Sequence, residues 1–201
     1  MQTRDAPIWG APASPGPAVS SEVIETPRLS LRSVEAGLAR ALYADRKLAG
    51  ELAGAILHQD FPDPTLKEML PGHATGLESD PRLSGWGLWL LQYKVERMVV
   101  GGIGFKGPPN ASGEVAIGYA IVRAHRRRGL AVEAARALIN WAFRDSRVGR
   151  VLAECGADNV ASVGVLERLG FARLRGADLD PEQSWLRWEV TRSDWWRRQV
   201  G

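Results

Sequence analysis

Cysteine is almost missing from this chain: Cys155 stands alone among 201 residues, so no disulfide can form within it. A lone thiol fits a reducing compartment, and a cytoplasmic location is the expectation. No run approaches the roughly 18 apolar residues that a membrane span needs, and the N-terminus lacks a signal-peptide pattern. No membrane partner is expected. Charge of one sign is also scarce, since 26 Lys and Arg offset 23 Asp and Glu for a net +3 and a pI near 9.3. That balance permits an anionic small molecule or nucleic acid as partner and selects neither. No cluster of metal-ligating residues is read, so no metal is expected.

What is present suffices for one domain with its own core, because 45% of the residues are hydrophobic and 24% charged. Residues 1–23 are rich in Pro, Ala, Gly and Ser and lack apolar periodicity, which predicts a flexible tail before a domain at 24–201. Residues 28–34 alternate Leu29 and Leu31 with polar neighbours, as in a strand. Residues 35–57 are Ala- and Leu-rich and predict one or two helices. Four prolines in 58–84 predict a mobile loop, with one short helix around 66–70. Residues 86–93 and 98–105 predict a hairpin turning at Val95-Glu96-Arg97, and 114–121 a further strand. Leu130, Ala134, Ala137, Leu138 and Trp141 recur at helical spacing. A buried strand at 151–155, a helix capped by Asp158 or Asn159 and ended by Gly170, and strands from Phe171 and over 184–191 complete the pattern. The order implies a mixed α/β sheet with helices on its faces.

The strongest chemical signal is Tyr119 to Ala131, where a strand runs into a basic turn, then Gly129, then a long helix. A helix start presents unpaired N–H groups and the positive end of its dipole, which suit a phosphate. Gly129 allows close backbone approach, and Arg126, Arg127 and Arg128 add forked donors. Three readings stay open on this segment alone: a solvated basic turn, a nucleic-acid patch and a pyrophosphate site.

Arg126-Arg127-Arg128-Gly129-Leu130-Ala131 resembles the Gln/Arg-x-x-Gly-x-Gly/Ala signature of the GNAT superfamily of N-acetyltransferases. Gly118-Tyr119, Ala131-Val132-Glu133-Ala134, Glu25-Thr26-Pro27-Arg28-Leu29, Asn159 to Ser162 and Leu169-Gly170-Phe171 are similar to the ribosomal-protein N-terminal acetyltransferase branch. The likeness spans about residues 24–190. It implies a mostly antiparallel central sheet with two splayed parallel strands, here 114–121 and 151–155, and helices on both faces. Acetyl-CoA is the implied cosubstrate, its pantetheine pairing near Ile121, Val122 and Arg123, and its pyrophosphate on the amides of Arg126, Arg127, Arg128, Gly129, Leu130 and Ala131. Asn159 matches the family asparagine that contacts the cofactor.

Acetyl transfer to nitrogen needs a neutral amine, yet a lysine-type amine has a pKa of about 10.4 and an α-amine about 7.7–8. A base or a desolvating pocket must take the proton. A backbone N–H on the splayed strand would stabilise the charge gathering on the thioester oxygen. Glu154, at the end of the second splayed strand, is the first candidate base, and Glu114, at the start of the first, is its rival. His58 and Asp60 precede the proline-rich loop and are further candidates to meet substrate. Where many family members carry a tyrosine that protonates the departing thiolate, this chain has Leu166. Ser162 is the remaining candidate donor to it, and a thiolate of pKa about 8.5 leaves with modest help. Cys155, on an apolar strand with no histidine nearby, reads as a structural thiol. Trp86, Trp89, Trp141 and Trp188 read as core, while Trp195-Trp196 reads as a surface pair suited to a homodimer. The implied reaction is direct attack by a primary amine, from a small molecule or a protein N-terminus, on acetyl-CoA. Its rival is a domain that senses acetyl-CoA without turnover. Nucleic acid is disfavoured, because the arginine cluster lacks the interleaved aromatics of single-strand readers.

Overall fold

The alternation at the start of the chain becomes an antiparallel pair. In the computed structural model, which describes residues 22–174 and 185–198, β1 (Val23–Glu25) lies against β2 (Leu29–Ser33). Leu29 and Leu31 are fully buried, while their neighbours Ser30 and Arg32 are half-buried, as a strand with one face on the core requires. Among the described residues, regular structure begins at Val23, inside the segment read as a tail. The rest of that reading, residues 1–21, lies outside the described residues, as do Ser184 and residues 175–183.

Residues 35–57 resolve into α1 (Ala36–Ala44), α2 (Arg46–Ala53) and a short β3 (Ile56–Leu57). Asp45 separates the two helices and caps the second, its carboxylate accepting the N–H groups of Lys47 and Leu48 at 3.0 Å. The expected proline-rich loop is corrected by the structure, because most of it is α3 (Pro64–Ser79). Pro64 stands in the first turn, where a missing N–H has no helical partner to lose, and Asp63 accepts the Leu66 N–H at 3.0 Å. Pro71 inside the helix carries a penalty of about 3 kcal/mol. Burial of Leu70 and Leu77, about 1.5–3 kcal/mol each, works against that penalty.

Next come β4 (Leu88–Tyr93), β5 (Met98–Phe105), β6 (Glu114–Ile121), α4 (Leu130–Ala142), β7 (Arg150–Gly156), α5 (Val160–Leu169), β8 (Ala172–Arg173), β9 (Trp185–Thr191) and α6 (Arg192–Arg197). They form one sheet in the order β1-β2-β4-β5-β6-β7-β9-β8, with β3 beside β5. All pairings are antiparallel except β6 with β7 and the two-residue β3 with β5. Helices cover both faces. Trp89 on β4 meets Trp141 of α4 with ring centres 5.4 Å apart. On the other face, a Cβ placed on Gly102 of β5 would stand 3.5 Å from Leu66 of α3.

The tryptophans divide as expected with one correction. Trp86, Trp89 and Trp188 are buried and Trp141 is half-buried. Trp195, read as surface, is 2% exposed: it packs 6.2 Å from Phe143 and donates its Nε1–H to Asn140 at 2.7 Å. Of that pair Trp196 alone reaches solvent, so the paired-tryptophan surface expected for a homodimer does not exist. Cys155 is a buried thiol whose pKa burial pushes upward.

Candidate functional site

β6 and β7 run side by side only at their beginnings. Glu114, Val115, Ala116 and Ile117 pair with Arg150, Val151, Leu152 and Ala153, and there the pairing stops. β6 continues on β5 as far as Ile121, and β7 continues on β9 as far as Gly156. The two parallel strands therefore part after Ile117. Lys106 donates to the Ala116 carbonyl, and Val122 donates to the Val100 carbonyl. Backbone groups alternate sides along a strand, so 116, 118, 120 and 122 face β5. Tyr119 and Ile121 consequently turn their N–H groups toward the gap.

Beyond the gap the chain makes the basic turn. Arg127 has φ 60° and Gly129 has φ 76°, both left-handed, on either side of Arg128. An ordinary side chain resists that conformation by about 1–2 kcal/mol, which makes glycine the fitting residue at 129. A Cβ there would meet only Arg28 Nη2, at 3.5 Å, so conformation rather than crowding selects the glycine. Gly129 is also the N-cap of α4, and no side chain caps the helix. The amides of Leu130, Ala131 and Val132 thus have no intrahelical acceptor and point out of the helix end. A helix end of this kind, with free main-chain amides, suits an anion.

The arginines differ in their work. Arg126 Nε donates to the Ile121 carbonyl at 2.8 Å, bracing the end of β6. Arg128 donates to the Ala124 carbonyl at 3.2 Å and lies 3.9 Å from Glu96. Arg123 and Arg127 are exposed. Val122 gives its N–H to Val100 and accepts from His125, so its backbone is already engaged within the chain. His125, unremarked in the sequence, is the anchor of the turn: it is 5% exposed, with Nε2 2.9 Å from Glu96 and its ring against Tyr93 and His58. His58, half-buried, packs its ring on His125, and its Nδ1 accepts the Asp60 N–H at 3.2 Å.

The two candidate bases share one face of the sheet. Side chains at Glu114, Ala116, Gly118 and Ala120 point the same way along β6, and the register adds Lys106, Leu152, Glu154 and Arg187. Glu154 stands level with Gly118, at the first residue after the strands part. Its carboxylate lies 3.3 Å from Lys106 Nζ and 3.1 Å from Arg187 Nε, with 40% of the side chain exposed. Glu114 lies four residues back along β6, about 13 Å at a strand's rise per residue. Hydrogen bonds from Asn110 and Arg150 hold its pKa below the usual carboxylate range. The structure brings only Glu154 to the fork.

Ser162 and Asn159 lie on the opposite face, where α5 begins. Asn159 caps that helix by accepting the Ser162 N–H at 3.1 Å. Tyr119 crosses the gap toward them, with its hydroxyl 3.5 Å from the Ser162 carbonyl. Burial pushes that hydroxyl up to about 12, so it stays protonated and able to donate. The sequence reading passed over Tyr119, though its place after Gly118 on the splayed strand was visible. Leu166 is buried in the core. No group of metal-ligating side chains occurs among the described residues.

Comparison with known proteins agrees with this geometry. Residues 28–172 match the acetyltransferase (GNAT) domain family. The chain is 35% identical over 149 residues to the uncharacterized N-acetyltransferase YjdG of Bacillus subtilis (strain 168), covering 74% of this chain and 89% of that protein. Among solved structures, Mycobacterium smegmatis RimJ in complex with CoA-disulfide superposes with a TM-score of 0.59 at 19% identity, over 87% of this chain and 89% of that one. The ribosomal-protein-S5-alanine acetyltransferase of Vibrio fischeri gives 0.58 at 17% identity, over 87% and 98%. At such identities the two structures speak for the fold alone. Family match, relative and fold converge: the chain belongs to the GNAT family and is an N-acetyltransferase.

Proposed function

We propose that the protein transfers an acetyl group from acetyl-CoA directly to a primary amine held in the same complex. The observation that carries this is the fork after Ile117 leading into the left-handed Arg127 and Gly129 at the start of α4. A strand edge with free amides fits an amide-bearing arm, and an uncapped helix end fits a diphosphate. When bound, acetyl-CoA supplies the activated acyl group. Ile121 and Arg123 flank the arm; Gly129, Leu130 and Ala131 offer main-chain amides to the diphosphate, and Arg126, Arg127 and Arg128 supply the surrounding charge. Asn159, at the start of α5, borders the gap from the other side.

The residues of the chain then divide the proton work by face. Glu154 takes the amine proton through water on the side of Gly118 and Ala120, both of which are exposed. Tyr119 N–H or Ile121 N–H receives the charge that grows on the thioester oxygen. Ser162, with Tyr119 beside it, donates toward the departing sulfur from the α5 side. The acceptor is a small-molecule amine or a protein N-terminus. A single buried thiol is consistent with work in the cytoplasm.

Calorimetry with coenzyme A and thiol release from acetyl-CoA across peptides, polyamines and aminoglycosides test the proposal together. Saturable binding and amine-dependent thiol release are expected. Binding without release for any amine would leave only a sensor, and absence of binding would end the reading.

A further inference from the structure

The Thr26-Pro27-Arg28 turn, between β1 and β2, is far in sequence from the basic loop yet bonded to it. Glu133, in the first turns of α4, accepts three hydrogen bonds from this turn: from Thr26 Oγ1 at 2.7 Å, from the Arg28 N–H at 2.8 Å and from Arg28 Nε at 2.6 Å. Arg28 Nη1 then donates to the carbonyl of Arg128 at 2.7 Å. Glu133 is only 15% exposed. Burial raises its pKa, but the bonds from Thr26 and Arg28 outweigh that and hold it below the usual carboxylate range. These groups form a closed, charge-assisted lock.

We infer that Arg28, clamped by Glu133 and Thr26, is a positioning residue that sets the direction of the Gly129 amide and thereby shapes the anion cradle. This rests on the proposed cofactor site. The 128–129 peptide is trans, so the Arg128 carbonyl and the Gly129 N–H point in opposite directions. Holding the carbonyl on Arg28 turns the N–H to the other side of the loop, where α4 presents its first amides. The same peptide turned over would aim a carbonyl oxygen at the anion. Such a flip turns on ψ of Arg128 and φ of Gly129, and it is easy for the backbone because glycine populates both signs of φ. A fixed partner on the carbonyl removes that freedom. Arg126 and Arg128, which bond to carbonyls of residues 121 and 124, brace other peptides and leave this one to Arg28.

A bystander role for Glu133 predicts the opposite sign. Removing a negative charge close to a diphosphate would by itself tighten binding. If the lock is what matters, Glu133→Ala weakens coenzyme A by about fivefold or more, and Arg28→Ala by about tenfold or more. The double variant is then no weaker than Arg28→Ala, since both changes break one device. The test combines calorimetry on coenzyme A with residual dipolar couplings of the Gly129 N–H in the cofactor-free protein. Reoriented or averaged couplings in Arg28→Ala and weaker binding in Glu133→Ala are expected. Unchanged couplings, or tighter binding in Glu133→Ala, would overturn the inference. Because the couplings are read without cofactor, they judge the lock even if wild-type protein binds no coenzyme A, an outcome that would instead remove the cofactor site.

Discussion

The loop at the start of α4 and the face around Glu154 are both rich in charge, but they are held in different ways. In the loop, left-handed backbone at Arg127 and Gly129 is fixed by a bond from Arg28 on the β1–β2 turn and by bonds that the loop's own Arg126, Arg128 and buried His125 make to Ile121, Ala124 and Glu96. Around Glu154 the sheet carries Gly118, Ala116 and Ala120, and the charges are exposed side chains paired across neighbouring strands. Exposed pairs contribute only about 0–1 kcal/mol and rearrange readily. One region is a backbone held rigid by fixed bonds. The other is a surface of exposed, rearrangeable ion pairs.

The largest effect should come from attacking the rigid region. Gly129→Glu places a carboxylate at the helix end and strains the backbone, and coenzyme A affinity should fall by about a hundredfold or more, near 2.7 kcal/mol. Far-ultraviolet circular dichroism should remain that of the wild type. Unaltered affinity would erase the contrast, because the loop would then be no more than a basic turn.

Changes at the fork should act on rate and leave cofactor affinity alone. Glu154→Gln should lower turnover by about ten- to a hundredfold at and below neutral pH, with recovery as rising pH deprotonates the amine unaided. A pH–rate profile parallel to wild type would clear Glu154 of the role. Tyr119→Phe should slow transfer by about tenfold, and Ser162→Ala by a few-fold, since the departing thiolate needs only modest help. Wild-type rates in both variants, measured at saturating acetyl-CoA, would show that the sulfur leaves without a donor from this chain.

The same contrast explains what could be read without a structure. The loop was legible because its ingredients are consecutive: a strand, three arginines, a glycine and a periodic helix. The partnership of Glu154 with Lys106 and Arg187 was not, because it depends on strand register, which no local pattern records. The lock on Glu133 was half-visible. Thr26, Arg28 and Glu133 all lay in segments noted for resemblance, but nothing in their spacing announced contact across more than a hundred positions. α3, read only as a short helix around 66–70, was underestimated for a different reason. Its prolines signal a loop locally, and only the buried face of Leu70, Ala74 and Leu77 overrules them.

The smallest effect concerns stability and is read best by pH. Glu133 has a folded pKa below its unfolded value of about 4.3, so its bonds stabilise the native state at pH above that value. The contribution fades as pH falls through the lower, folded value, where the carboxyl takes a proton in both states. Glu133→Ala lacks it at every pH. Wild type should therefore melt about 2–4 °C above Glu133→Ala near neutrality, for roughly 1 kcal/mol in a chain of this length. The gap should hold down to about pH 5 and then close in more acid solution, because only the ionised carboxylate binds Arg28 strongly. A gap that persists unchanged into acid would assign the difference to packing of the side chain, and the rigidity of the loop would then owe nothing to that charge.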